Sequence, residues 1–196
     1  MYLCKVKTLN DLIYNYQITK AINNGNTIKL LDTKPLNDFI KAVRAKKKYE
    51  DHHRYDSINE AYRWRTGIGG EMALEQMLGE KFVDLSIGES KDYHVPDLSK
   101  LGIDVGVKSV DKGRYPVIFK KSEKPEIIIL RLSDDTFSVL GVVLPEDLNK
   151  HQDDSLILSP ALRARGTKTA FTGFHKIKPF NNLEQLKSII WQEKQS

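Results

Sequence analysis

Cysteine is almost absent: Cys4 is the sole thiol in 196 residues. A single cysteine excludes an internal disulfide framework and any multi-cysteine zinc site, which fits a reducing cytoplasm. Cys4 itself reads as a small apolar strand residue. Long apolar runs are missing too, since no segment approaches the roughly 20 residues that a membrane span needs. The opening residues Met1, Tyr2, Leu3, Cys4 and Lys5 lack the shape of a signal peptide. The expectation is a cytoplasmic chain with no membrane partner. Histidine is scarce and scattered (His52, His53, His94, His151, His175), without the i, i+4 spacing of a helical zinc site. Gly67, Gly69 and Gly70 are not followed by Gly-Lys-Ser/Thr, which excludes a nucleotide-binding loop.

What the chain does have is enough apolar content, 40% of residues, for one domain or one domain with an appendage. The net charge of +5 is modest but unevenly placed. One basic stretch holds Lys41, Arg44, Lys46, Lys47, Lys48 and Arg54 against Glu50 and Asp51. The other, residues 161–178, holds Arg163, Arg165, Lys168, Lys176 and Lys178 with no acid. Both stretches suit a phosphate backbone, and both also suit a solvated surface. Patterning divides the chain in three. Residues 1–55 read as an N-terminal helical extension that shares the core, after a short opening strand, with Leu36, Phe39, Ile40 and Val43 at helical spacing behind Pro35. Residues 56–196 read as an α/β domain: one helix and several strands to about residue 145, then helix, basic loop and a final helix over residues 183–191.

Chemistry concentrates in residues 65–108. A helix through Glu71 places Leu74, Met77 and Leu78 on the same side as the acid, so the carboxylate faces inward and needs a cation or a hydrogen-bond cradle. The alternative role for Glu71 is to favour a helix N-terminus through its dipole. The glycines ahead of it fit a bend or a close backbone approach. Residues 81–87 read as a strand. Asp97 follows Pro96 and suits either a metal ligand or a turn opener. Residues 102–110 alternate, with Ile103, Val105 and Val107 on one face and Asp104, Gly106 and Lys108 on the other. A glycine between an acid and a lysine marks close approach by a ligand or by backbone; the alternative is an exposed polar face. Acids that hold a hard divalent cation, with an ammonium beside them, suit phosphodiester hydrolysis.

A helical Glu, a Pro-Asp, and a strand bearing the motif lysine resemble the restriction-endonuclease-like nuclease superfamily over about residues 65–145. Glu71 matches the helical acid, Asp97 the Pro-Asp acid and Lys108 the lysine. Residues 116–120, 125–131 and 137–144 look like further strands of that fold's mixed central sheet flanked by helices. Residues 141–148 resemble the strand-to-helix exit of phage and restriction relatives. The resemblance implies Mg²⁺ or Mn²⁺ held by Asp97 and Glu71, with Asp104 as a third ligand, and Lys108, Asp97 and Glu71 as catalytic residues. It implies DNA as partner, and a homodimer as the assembly that cuts two strands. The departure is Gly106, which stands where the family has an acid; Asp104 lies two residues earlier on the same face.

Arg163, Arg165 and Lys168, with Ser159, Thr167 and Thr169, supply a phosphate-contact vocabulary near Phe171 and Phe174, which read as core. Together with Arg44 and Lys47 these arginines and this lysine form the expected DNA-binding set. Two functions follow: a metal-dependent DNA endonuclease, and a catalytically degenerate nuclease-fold module that binds DNA or protein.

Overall fold

The structure, a computed structural model, describes residues 9–47, 57–85 and 97–193. The expected opening strand, Lys48, Arg54, His52, His53, His94 and Pro96 lie outside the described residues. In chain order the elements are α1 (Leu9–Asn24), β1 (Asn26–Lys29), α2 (Lys34–Lys47), α3 (Ser57–Leu78), β2 (Gly106–Asp111), β3 (Val117–Phe119), β4 (Glu126–Arg131), β5 (Thr136–Val143), α4 (Pro145–Lys150), β6 (Gln152–Asp153), α5 (Pro160–Ala164), β7 (Lys168–Phe171) and α6 (Leu183–Glu193). No helix among the described residues is long and apolar enough to cross a membrane.

Strand β4 is buried along its whole length, as a strand covered on both faces must be. It is central in a four-stranded sheet ordered β1-β5-β4-β2, in which only the β2–β4 pair is parallel. Alternation along β4 then separates two cores. Ile127 and Ile129 pack with Leu36, Phe39, Leu74 and Leu186, from the layer of α2, α3 and α6. Ile128 and Leu130 pack with Tyr14, Ile118, Leu148 and Phe171, from α1 and the far layer. A bulge opposite Ile128 and Ile129 lets β5 change its alternation, from Phe137 and Val139 on the first core to Val142 on the same core after the extra residue. Gly141 sits at this bulge with φ +139°, and a Cβ there would run into the Lys178 carbonyl.

The far layer carries a second sheet, β3-β7-β6, which is antiparallel throughout. Residues 116–120 therefore form a strand as expected, but in this sheet and not in the larger one. Parallel neighbours β2 and β4 need a crossover, so the chain between them must leave their sheet, and β3 lies on that path. Residues 81–85 form no strand. The Phe82 and Val83 N–H groups both donate to Glu75 Oε2 at 2.9 Å, so a side chain of α3 satisfies the donors that a ladder would have used. The N-terminal segment contributes β1 to the main sheet besides its two helices.

Candidate active site

Helix α3 lies against the sheet closely enough to exclude side chains at two positions. A Cβ on Gly69 would come within 2.5 Å of the Phe137 ring, and one on Gly70 would collide with Ser109 on β2. The helix runs through all three glycines without a break, so their role here is close approach and not a bend. At the far end of β2 the helix is tied down by polar contacts: Thr66 Oγ1 bonds Asp111 at 3.2 Å, and Asp111 holds the buried Arg131 at 2.8 Å. Glu71, the residue after Gly70, is thereby placed at the opposite end of β2, near the strand's beginning.

Glu71 is partly buried, and its carboxyl is pushed up to about 8. Burial is the main cause, the neighbouring Asp97 carboxylate adds to it, and the Lys108 ammonium opposes both. Asp97 reaches the edge of the sheet, where its Oδ2 accepts the Val107 N–H at 2.5 Å. That bond fixes Asp97 beside β2, one of the two edge strands of the sheet. The structure thus brings Glu71, Asp97 and Lys108 within electrostatic reach of one another.

The space beside Gly106, where the resemblance leads to the expectation of an acid, is filled from the neighbouring strand. Gly106 pairs in register with Glu126 on β4, and a Cβ added to Gly106 would collide with the Glu126 carboxylate. Glu126 Oε2 lies 3.2 Å from Lys108 Nζ, and Glu126 keeps only 3% side-chain exposure. No further hydrogen bond reaches this buried oxygen among the described residues. Burial raises the Glu126 pKa; Lys108 and Lys124 oppose the rise, and Asp97 adds to it. Asp97 is therefore the common acidic neighbour of Glu71 and Glu126. Glu126 is a member of this candidate site that sequence reasoning missed. Its one signal was an acid heading the run Ile127, Ile128, Ile129, Leu130, where burial leaves no room for an idle charge.

Other expected site residues are placed differently. Asp104 is exposed and lies 3.9 Å from Lys124 Nζ, with no contact to Glu71 or Asp97 among those described. Arg163 in α5 and Arg165 just after it are exposed. Lys168 opens β7, half-buried, with Nζ 2.9 Å from the centroid of the Phe119 ring. Arg44 is exposed on α2, in the opposite layer, and Lys47 is the last residue of that helix. Phe171 and Phe174 are core, as expected. His151 and His175 stack edge to face at 5.0 Å.

Among the described residues no three His, Cys, Asp or Glu side chains cluster tightly enough to form a metal cage on their own. The donors present still suit Mg²⁺, which keeps several waters and takes one or two protein carboxylates. Two features of the site bear on charge: Asp97 adds to the burial that keeps Glu71 protonated, and Glu126 holds a buried oxygen with one lysine as its partner. Comparison with protein-family models, with curated proteins and with solved structures finds no match.

Proposed function

We propose that this protein is a metal-dependent DNA endonuclease that hydrolyses phosphodiester bonds, built on a restriction-endonuclease-like sheet. One observation carries the reading. The acid missing at Gly106 is supplied across the β2–β4 ladder by Glu126, which meets the lysine expected to work beside such an acid. A mixed sheet whose edge strand bears Lys108, with the Glu71 helix packed on it, gives further support.

In this reading Asp97 and Glu71 would hold Mg²⁺ or Mn²⁺, with Glu126 neighbouring Asp97. The ion when bound supplies Lewis acidity and an activated water. Lys108 stands where its ammonium offsets negative charge that grows on the phosphate. Glu126 orients that ammonium through the 3.2 Å contact. Glu71 gives up its proton as the site becomes cationic, so activity rises with pH toward the value of about 8 at which the free protein loses that proton.

A second reading, a nuclease-fold module that binds DNA or protein without cutting, draws on the lack of a three-acid cluster among the described residues. Supercoiled plasmid and single-stranded circular DNA, incubated with Mg²⁺ or Mn²⁺, separate the two. Nicking by the wild type, with a loss of about 100-fold or more in Asp97→Ala, Lys108→Ala and Glu126→Gln, is the expected result. Equal nicking by all four proteins overturns the site, and binding without nicking selects the module.

A further inference from the structure

A cleft of about 420 Å³ runs between α1 and residues 174–179, and none of Glu71, Asp97, Lys108 or Glu126 lines it. Its floor is apolar: Ala21 of α1, Leu140 of β5 and Phe174 are all buried. The α1 wall follows from the sequence of that helix. At 100° per residue, positions 12, 13, 16, 17, 20 and 24 share one side, next to the stripe of Tyr14, Ile18 and Ala21 that packs into the core. On that outer side Leu12, Ile13 and Tyr16 are apolar and exposed, and Lys20 follows Tyr16 one helical turn on.

Both walls are held in place by the protein itself. The Tyr14 hydroxyl accepts the Gly113 N–H at 3.0 Å and donates to the Arg114 carbonyl at 3.1 Å, which anchors α1. The Tyr14 ring also meets Phe174 edge-on, with centroids 5.6 Å apart, and so joins the helix to the opposite wall. That wall is tied to β5, because Val142 and Lys178 exchange two backbone hydrogen bonds of 2.9 Å. A cleft between two fixed walls is pre-formed, and its volume falls in the range of small-molecule sites, roughly 300–1,000 Å³.

Charge narrows the ligand. Among the described residues Lys20 is the one formally charged side chain that lines the cleft, and no Asp or Glu lines it. Apolar walls with a single exposed cation match a molecule with an apolar body and one anionic group. The body leaves water, and the anion gains a charge-assisted hydrogen bond. A second copy of the chain is a poorer match. An isologous contact lays the α1 stripe against itself, where Lys20 meets no acid.

We propose that this cleft is a binding site for a small apolar carboxylic acid, whose body covers Leu140, Phe174 and Ile177 and whose carboxylate pairs with Lys20. The proposal goes beyond the nuclease reading and does not depend on it.

The test is isothermal titration of the full chain with octanoate, 4-phenylbutyrate, 1-octanol and octylammonium. Circular dichroism and thermal midpoints establish that each variant folds. At least one of the two acids should bind saturably at a single site, the alcohol about tenfold more weakly than octanoate, and octylammonium not measurably. Lys20→Met keeps the alkyl stem and removes the charge; it should weaken binding of the acid about tenfold and leave the alcohol unchanged, while Lys20→Arg stays within about threefold of the wild type. Gln17→Trp, which fills the cleft from its helix wall, should abolish binding of acid and alcohol alike. Saturable binding of neither acid overturns the site. Equal affinity for octanoate and octanol, or an unchanged affinity for the acid in Lys20→Met, overturns the role of Lys20 and with it the proposal. A dimer in sedimentation that Gln17→Trp dissociates assigns this face to a contact between copies, which also overturns it.

Discussion

At the scale of single residues the site is a matter of which acid keeps its proton. The Glu71 carboxyl is raised from 4.5 to about 8, so between those values the folded protein holds a proton that the unfolded chain has released. Stability therefore falls as pH rises through that window, and the contribution vanishes below it. Glu71→Gln should gain on the wild type by a few kcal/mol on moving from about pH 4 to above pH 8, at about 1.4 kcal/mol per pKa unit. Denaturant midpoints at the two pH values check this; a constant difference between the proteins refutes it. Gly106 and Glu126 invite an exchange, since the glycine is absent from the positive-φ positions and accepts an ordinary backbone. Gly106→Asp alone sets two carboxylates in one space and should lose stability and nicking. Adding Glu126→Gly should recover nicking above the level of either single variant. A double variant no better than Glu126→Gly alone would refute the equivalence of the two positions. Glu71, Asp97 and Lys108 were legible in the sequence because each sits in a short local pattern. Glu126 was not, because its tie to Gly106 exists only through the register of two strands separated by a crossover.

At the scale of elements, α3 shows how glycine acts through what surrounds it. Gly67 has no atom within 4 Å of an added Cβ, whereas Gly69 meets Phe137 and Gly70 meets Ser109. Alanine favours helices, so Gly67→Ala should stabilise by roughly 0.5–1 kcal/mol. Gly69→Ala should instead destabilise by roughly 1–3 kcal/mol, as overpacking does. Opposite signs in urea unfolding are the check. The helices α3 and α6 were read from local patterning, whereas β4 and β5 were expected from the family resemblance, β4 being an unbroken apolar run with no alternation to read. Residues 81–85 misled for the converse reason: Phe82, Val83 and Leu85 look strand-like, but the Glu75 carboxylate claims the backbone donors. Strand β1 went unread because Asn26–Lys29 has only Ile28 as an apolar residue. Its place comes from β5, which offers an open edge.

At the scale of the whole molecule, the described residues of the two basic stretches lie in different layers. Arg44 belongs to the layer of α2, α3 and α6, while Arg163, Arg165 and Lys168 belong with the second sheet, the side on which Lys108 and Glu126 face. A duplex seated at that side should lose contacts when Arg163 and Arg165 become alanine, with the salt slope of binding shallower by roughly 0.9 per contact. Arg44→Ala should leave the slope unchanged. Equal changes in both would place DNA across the two layers. The clusters themselves were plain in the sequence, but their separation was not, since it depends on which face of the sheet each element covers. Strand β1 has a consequence of its own. Its partner is Thr136–Val143, and the Asn26 side chain donates to the Phe180 carbonyl at 2.9 Å. During synthesis β1 emerges from the ribosome long before Thr136–Val143, so that edge of the sheet stays open until translation has passed Val143.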